Sequence, residues 1–247
     1  MNLTIDQGNS RTKVALFDQT GQLKKALVYK AFSSADVQRL FSLYPIKASI
    51  ISSVVNIEPA VVNALHRLSE RFILFDHLTP LPIQNAYGTP ETLGLDRLAA
   101  AVGAMSLCPN TNLLIIDAGS AITYDYVSAD GVFHGGNIAP GIKMRLAALH
   151  KMTQKLPMVD VEENELIPLF GNNTRDAIAA GVIRGVSFEV KGYMRTLTDK
   201  GEQFTTFLTG GNAPYILNTI RNKSIRVEKN LTLIGLNQIL EHAAHHL

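Results

Sequence analysis

Short apolar runs closed by polar or glycine residues alternate along this chain with longer stretches at helical spacing. The first kind predicts strands over residues 1–5, 12–17, 23–29, 48–55 and 72–75. The second predicts helices over 33–44, 59–71 and 92–107, the first opened by a serine cap and the second by Pro59. Residues 76–90, with Pro80, Pro82, Gly88 and Pro90, break both patterns and are expected to be a loop. Three strands then follow at 112–116, 121–127 and 132–135. A turn is expected at 136–141 and helices at 142–151, 173–197, 215–221 and from 231 to the end, with a strand at 204–208. Residues 156–170 are irregular, acidic and proline-bearing. The order is that of two mixed α/β units, divided as 1–111 and 112–247.

The division is sharpened by a repeat. Leu3-Thr4-Ile5-Asp6-Gln7-Gly8-Asn9-Ser10 and Leu114-Ile115-Ile116-Asp117-Ala118-Gly119-Ser120 are both an apolar strand running into an Asp-x-Gly-polar turn and then a second strand. Each second strand runs into a hairpin signal, Asp18-Gln19-Thr20-Gly21 or Ala129-Asp130-Gly131. One such turn alone reads equally as ordinary hairpin chemistry. Two, half a chain apart, point to a duplication, with nucleotide phosphates expected between the two halves.

Composition narrows the classes. Hydrophobic residues make up 46% of the 247 positions and charged ones 18%, as in a soluble globular protein. The net charge of +2 comes without a basic run, so nucleic acid is not expected as a partner, whereas an anionic small molecule is compatible. No apolar stretch reaches the roughly 18 residues of a membrane span. The N-terminus lacks the charged and long apolar regions of a signal peptide, so a cytoplasmic protein is expected. The single cysteine, Cys108, makes neither an internal disulfide nor a cysteine zinc site.

Candidate chemistry falls on the glycine turns. Gly8 allows close backbone approach, Asn9, Ser10 and Thr12 bring side-chain donors, and Lys13 brings a positive charge. Asp6 repels phosphate unless Mg²⁺ bridges the two, and Mg²⁺ is commonly held by one or two carboxylates plus phosphate oxygens. Asp117 projects from a buried strand end, Ser120 offers a hydroxyl, and Asp125 reads either as a supporting residue or as a solvated strand position. Gly94-Leu95-Asp96-Arg97 opens an apolar helix with an acid–base pair. Its carboxylate can take a proton from a hydroxyl nucleophile and its guanidinium can hold a carboxylate at two points, although a surface ion pair gives the same pattern. Residues 135–141 and 209–212 are glycine-rich and suit the flat face of a base or ribose as well as plain turns. No Walker-type or dinucleotide Gly-x-Gly-x-x-Gly motif occurs. His242, His245 and His246 have helical metal-ligand spacing but no third clear ligand, and are expected at a frayed end.

Taken together, the motifs Asp6-x-Gly8-Asn9-Ser10-x-x-Lys13, Gly94-x-Asp96-Arg97, Asp117-x-Gly119-Ser120-Ala121-x-Thr123-x-Asp125, Gly135-Gly136-x-Ile138-x-Pro140-Gly141, Asn173-Thr174-x-x-Ala177 and Thr209-Gly210-Gly211 resemble, in family order, a type III pantothenate kinase of the acetate kinase/sugar kinase/Hsp70/actin superfamily. The resemblance implies two ribonuclease-H-like α/β domains, each a βββαβαβα unit, with an ATP cleft between them. It implies ATP-dependent phosphorylation of pantothenate, the first step toward coenzyme A, by a homodimer with its substrate pocket at the subunit interface.

It also implies roles for residues. Asp6, Gln7, Gly8, Asn9, Ser10, Arg11, Thr12 and Lys13 would cradle ATP, with Asp6 on Mg²⁺, and Ser120 would contact ATP. Tyr87, Gly94, Leu95, Asp96, Arg97 and Thr174 would hold pantothenate, with Asp96 as general base. Asp117 would bind K⁺ or NH₄⁺. Ser10 and Ser120 stand where the family more often has threonine, which keeps the hydroxyl. Residues 156–170 match nothing in the family pattern. Two other readings compete: a non-catalytic transcriptional regulator of the Bvg accessory factor type, and a same-fold kinase acting on another small acid or sugar.

Overall fold

The computed structural model describes residues 1–220 and 224–244. They form two compact units, Met1–Asn110 with Val127–His134 and the segment from Asn230, and Thr111–Tyr126 with Gly135–Lys229.

The first unit is built on strands β1 (Asn2–Gln7), β2 (Thr12–Phe17), β3 (Leu23–Tyr29), β4 (Ala48–Ser53) and β5 (Arg71–Leu74), in the order β3-β2-β1-β4-β5. β1 pairs antiparallel with β2 and parallel with β4, which pairs parallel with β5. Strand alternation divides the side chains. Leu3, Ile5, Val14, Leu16 and Ile51 form one face, packed on α1 (Ser34–Leu43) and α2 (Pro59–Leu68) through Val37, Leu40, Val61 and Leu65. α1 begins with a capping box between Ser33 and Asp36. The opposite face carries Thr4, Asp6, Lys13 and Ser52, since Asp6 lies across from Lys13 on β2 and from Ser52 on β4. Helix α3 (Leu95–Leu107) packs against β4, and α7 (Leu231–Ala243) against β1, β2 and β4.

α3 and α7 cross in direct backbone contact. A Cβ on Gly235 would lie 1.7 Å from the Ala99 carbonyl oxygen, and one on Gly103 would lie 2.2 Å from that of Leu231. This crossing explains why the chain does not divide once at 111/112. Its last helix buries Leu231, Leu233, Leu236, Ile239 and Leu240 and is part of the first unit. Asn237 accepts a hydrogen bond from Asn2 on β1, which also donates to Glu241.

The second unit repeats the plan. Strands β7 (Asn112–Ala118), β8 (Ala121–Val127), β9 (Val132–Pro140), β10 (Phe204–Thr209) and β11 (Ile225–Val227) lie in the order β11-β10-β7-β8-β9, with β7 parallel to β10 and β10 to β11. Substituting β1 for β7, β2 for β8 and so on reproduces the first sheet, so the repeat read from the two Asp-x-Gly turns is a repeat of topology. Glycines at positive φ, Gly21 (75°) and Gly131 (84°), stand at the expected hairpins of both copies. α4 (Ile142–Lys151), α5 (Thr174–Asp199) and α6 (Ala213–Ile220) cover a core that includes Leu114, Ile116, Ile122, Leu208, Ile183, Val186 and Ile216.

Several local expectations need correction. Residues 136–140 continue β9 instead of turning, because their backbone pairs within the sheet. The loop at 76–90 contains β6 (Gln84–Asn85), a two-residue strand parallel to Val132–Phe133 of the β8–β9 tip, and a short 3₁₀ turn follows at Pro90–Thr92. β11 had no signal in its three residues. The helix expected at 215–221 is α6, two residues earlier at its start, and Arg221 lies outside the described residues. Residues 156–170 are irregular yet held down. Arg175 pairs with both oxygens of Glu165, Arg184 donates to the Ile167 and Pro168 carbonyls, and Tyr215 and Asn218 donate to those of Val161 and Glu163.

Candidate active site

The expected residues fall into separate clusters, two in the first unit and one in the second. The first is the β1–β2 turn. Its closing bond runs from the Gly8 N–H to the Arg11 carbonyl at 3.1 Å, so this N–H, expected to face an anion, is engaged in the turn itself. A Cβ at Gly8 would stand 3.3 Å from that same carbonyl oxygen. Asn9, Ser10 and Arg11 are exposed, Thr12 is buried, and Asp6, Gln7 and Lys13 are half-buried. Asp6 and Lys13 share one face and come from adjacent strands. Beside Asp6, the buried Ser52 hydroxyl has no hydrogen-bond partner among the described residues.

The second cluster joins the start of α3 to residue 87. Asp96 lies in the first turn of α3, where an anion is favoured by the helix dipole. Its Oδ1 accepts a hydrogen bond from the Arg97 N–H at 2.9 Å. A Cβ at position 94 would come within 2.5 Å of that oxygen, so glycine there makes room for the carboxylate. Arg97 is 5% exposed, unusual for a guanidinium. It lies 5.6 Å from the centre of the Tyr87 ring and 5.8 Å from that of Phe133, a cation–π arrangement. β6 brings Tyr87 there, since the next residue, Ala86, donates from its N–H to the Phe133 carbonyl. The structure thus places Tyr87, Gly94, Asp96 and Arg97 together. Phe133 was missed in the sequence, where an apolar residue in a hairpin carries no sign of the cation it faces.

The third cluster is the β7–β8 turn. Asp117 sits opposite Thr209 on β10. The loop after β10 folds onto the turn, with the Asn212 N–H donating to the Ala118 carbonyl at 2.9 Å and its side chain to that of Gly119 at 2.7 Å. Gly210, at φ 90°, passes so close that a Cβ there would stand 2.4 Å from Asp117 Oδ1. A Cβ on Gly141 would lie 2.1 Å from the Ser120 carbonyl oxygen. Ser120 itself is exposed. Three motifs distant in sequence, at 117–120, 141 and 209–212, therefore form one backbone shell around Asp117 and Ser120. Asp125 is buried, not solvated. Thr174 is exposed at the first turn of α5, after the Asn173 cap.

This shell predicts a stability difference between neighbours. Gly210→Ala combines a left-handed conformation, costing about 1–2 kcal/mol, with overpacking against Asp117 and Ala118 that costs about 1–3 kcal/mol. Gly211 has no atom within 4 Å of its would-be Cβ. Gly211→Ala is expected to melt close to the parent and Gly210→Ala well below it. Equal melting temperatures would mean that the shell does not form.

Among the described residues, no three His, Cys, Asp or Glu side chains gather as a metal site. His242 lies in the last turn of α7, and His245 and His246 lie outside the described residues. Cys108 is half-buried at the end of α3.

The type III pantothenate kinase family model matches residues 2–196. A type III pantothenate kinase of Phocaeicola vulgatus is 43% identical over 242 residues, covering 98% of both chains, and one from Bacteroides fragilis is 41% identical with 98% of each covered. Among solved structures, a Baf family transcriptional activator from Campylobacter jejuni aligns over 98% of this chain and 99% of its own, with a TM-score of 0.62 at 20% identity. A glucokinase from an Antarctic psychrotroph aligns over 98% of both chains at 0.52 and 11%. At those identities the two structures speak to the α/β fold of paired mixed sheets, whereas the full-length sequence matches speak to the family. The chain belongs to the type III pantothenate kinase family.

Proposed function

We propose that this protein transfers the γ-phosphoryl group of ATP to the primary hydroxyl of pantothenate, giving 4′-phosphopantothenate and ADP at the entry to coenzyme A synthesis. The observation that carries this reading is the full-length similarity to type III pantothenate kinases. The geometry supplies parts suited to the chemistry. Phosphoryl transfer is catalysed mainly by positioning and charge neutralisation. Asp96 takes the proton of the attacking hydroxyl as its oxygen bonds to the γ-phosphorus and ADP departs. Its fixed Oδ1 and its place at a helix start hold the carboxylate ready. Arg97, held beside the Tyr87 and Phe133 rings, receives the pantothenate carboxylate, with Tyr87 next to it and Gly94, Leu95 and Thr174 as further substrate contacts.

Residues 6–13 hold the ATP phosphates, and Ser120 contacts ATP. The half-buried Asp6 carboxylate, across the sheet from the buried Ser52 hydroxyl, fits Mg²⁺. Such an ion takes one or two carboxylates from the protein and the rest of its oxygens from phosphate and water. It would supply charge neutralisation at the phosphates. Asp117 Oδ1, in a cradle that a Cβ at Gly210 would fill, fits a monovalent cation, K⁺ or NH₄⁺.

We further assign the working state as a homodimer in the cytoplasm. Exposed Leu166, Leu169, Phe170 and Phe188 in the second unit support self-association. Among the described residues no helix is long and apolar enough to cross a membrane.

A substrate panel tests the reading. Pantothenate is expected to be phosphorylated far faster than sugars or other short hydroxy acids. Preference for one of those would move the protein to another kinase specificity, and phosphorylation of none would favour a regulatory role. Replacing K⁺ by Na⁺ at constant ionic strength is expected to lower the rate about tenfold, equivalent to some 1.4 kcal/mol of transition-state stabilisation. Indifference to the exchange would remove the cation from Asp117.

A further inference from the structure

A polar network in the second unit lies outside every role assigned above. Arg145, on α4, donates from both terminal nitrogens to Glu189 on α5, at 2.6 and 2.8 Å. Its Nε donates to the Pro140 carbonyl at 2.7 Å. Glu189 also accepts the Tyr124 hydroxyl at 3.0 Å. The Tyr124 ring stacks on Tyr193 at 4.4 Å, and the Tyr193 hydroxyl accepts from Asn137 at 3.0 Å. Arg145 therefore uses three donors at once, two on a helix and one on the backbone just before Gly141. A planar guanidinium spreads these donors over three nitrogens in a fixed fork, a geometry that the three donors on the single nitrogen of an ammonium group do not reproduce.

The location gives the network its consequence. Gly141 lies against the Gly119–Ser120 peptide, where even a methyl group would collide with the Ser120 and Gly119 carbonyl oxygens, at 2.1 and 2.8 Å. β8, which carries Tyr124, starts directly after Ser120. A Cβ at Gly136 would stand 2.1 Å from the Tyr124 carbonyl oxygen. The backbone on either side of the Ser120 turn is thus tied, through Pro140 and through Tyr124, to the single carboxylate of Glu189. The charges reinforce the tie: the hydrogen bonds from Arg145 hold the Glu189 carboxyl below its usual range, and burial, with Glu189 adding to it, pushes the Tyr124 phenol up.

We propose that Arg145, anchored by Glu189, is a positioning residue that sets the Pro140–Gly141 backbone against Ser120 and so fixes the nucleotide-binding turn. The assignment of ATP to that turn rests on the proposed function, but the clamping itself does not.

Arg145→Lys keeps the charge and loses the three-way contact, and Glu189→Gln keeps the shape and weakens the anchor. Arg145 and Glu189 are only partly buried, so both variants are expected to fold, which circular dichroism and melting would verify. Two readouts separate the questions. Hydrogen exchange in peptides covering 117–121 and 139–142, measured without nucleotide, is expected to speed up in Arg145→Lys, and less in Glu189→Gln. Peptides from the first unit should be unchanged.

In kinetics, a misplaced binding turn is expected to raise the KM for ATP about tenfold, within the 10²-fold that a misplacement of about 1 Å can cost, with the KM for pantothenate unchanged. A merely structural role would lower melting and the active fraction without a selective change in the KM for ATP. Unchanged exchange at 117–121 in both variants would overturn the proposal. Faster exchange in a protein whose wild type does not phosphorylate pantothenate would uphold the clamp and overturn the proposed function.

Discussion

Asp96→Asn is expected to lower turnover by about 10²–10⁴-fold, the usual contribution of a positioned general base. At about 1.4 kcal/mol per tenfold, that is roughly 3–5 kcal/mol of transition-state stabilisation. The substitution suits the test because it changes little else. Asparagine retains an oxygen to accept the Arg97 N–H, and Gly94 leaves the same room for either side chain. The fold and the affinity for ATP are therefore expected to remain near wild type, with the loss confined to the chemical step. A variant that kept more than a tenth of the wild-type rate would transfer the base to another group.

The second large effect lies away from the chemistry, where α7 crosses α3. Gly235→Ala would put a methyl carbon 1.7 Å from the Ala99 carbonyl oxygen. That oxygen belongs to a helix backbone and cannot rotate aside, so the helices must separate. Overpacking of this kind costs about 1–3 kcal/mol and sometimes more, and the helix-propensity gain of alanine over glycine returns only about 1 kcal/mol. The difference, a net loss of up to about 2 kcal/mol, corresponds to as much as about 4–8 °C in melting temperature for a protein of this size. Because the first turn of α3 carries Asp96 and Arg97, the shift is also expected to lower the proposed kinase activity. The control is Gly192→Ala, at an exposed position of α5 with nothing within 4 Å of the added carbon. It is expected to stabilise by about 0.4–1 kcal/mol. If Gly235→Ala melted with or above the parent, the close crossing would be wrong.

These cases show where the sequence was informative. The two Asp-x-Gly turns were legible because each joins a buried apolar strand to an acid and a glycine. The shared strand order gives that repeat its structural meaning. Gly94 to Arg97 were legible as an acid–base pair opening an apolar helix. What escaped depends on contacts distant in sequence. The Gly103–Gly235 crossing joins two helices whose glycines look like mild helix weakeners when each is read alone. Phe133 faces Arg97 only because β6 pairs with the β8–β9 tip, and β6 is two residues long, too short for any periodicity. Residues 156–170 owe their shape to partners on α5 and α6, so their own composition held no signal. The return of α7 to the first unit is likewise a matter of packing, since a mostly apolar helix carries no sign of which half will bury it.

The purified protein, incubated with ATP, Mg²⁺, K⁺ and pantothenate, is expected to form 4′-phosphopantothenate, whereas Asp96→Asn, equally folded, is expected to form almost none. No product from the folded wild type would mean that this chain is not a pantothenate kinase in function.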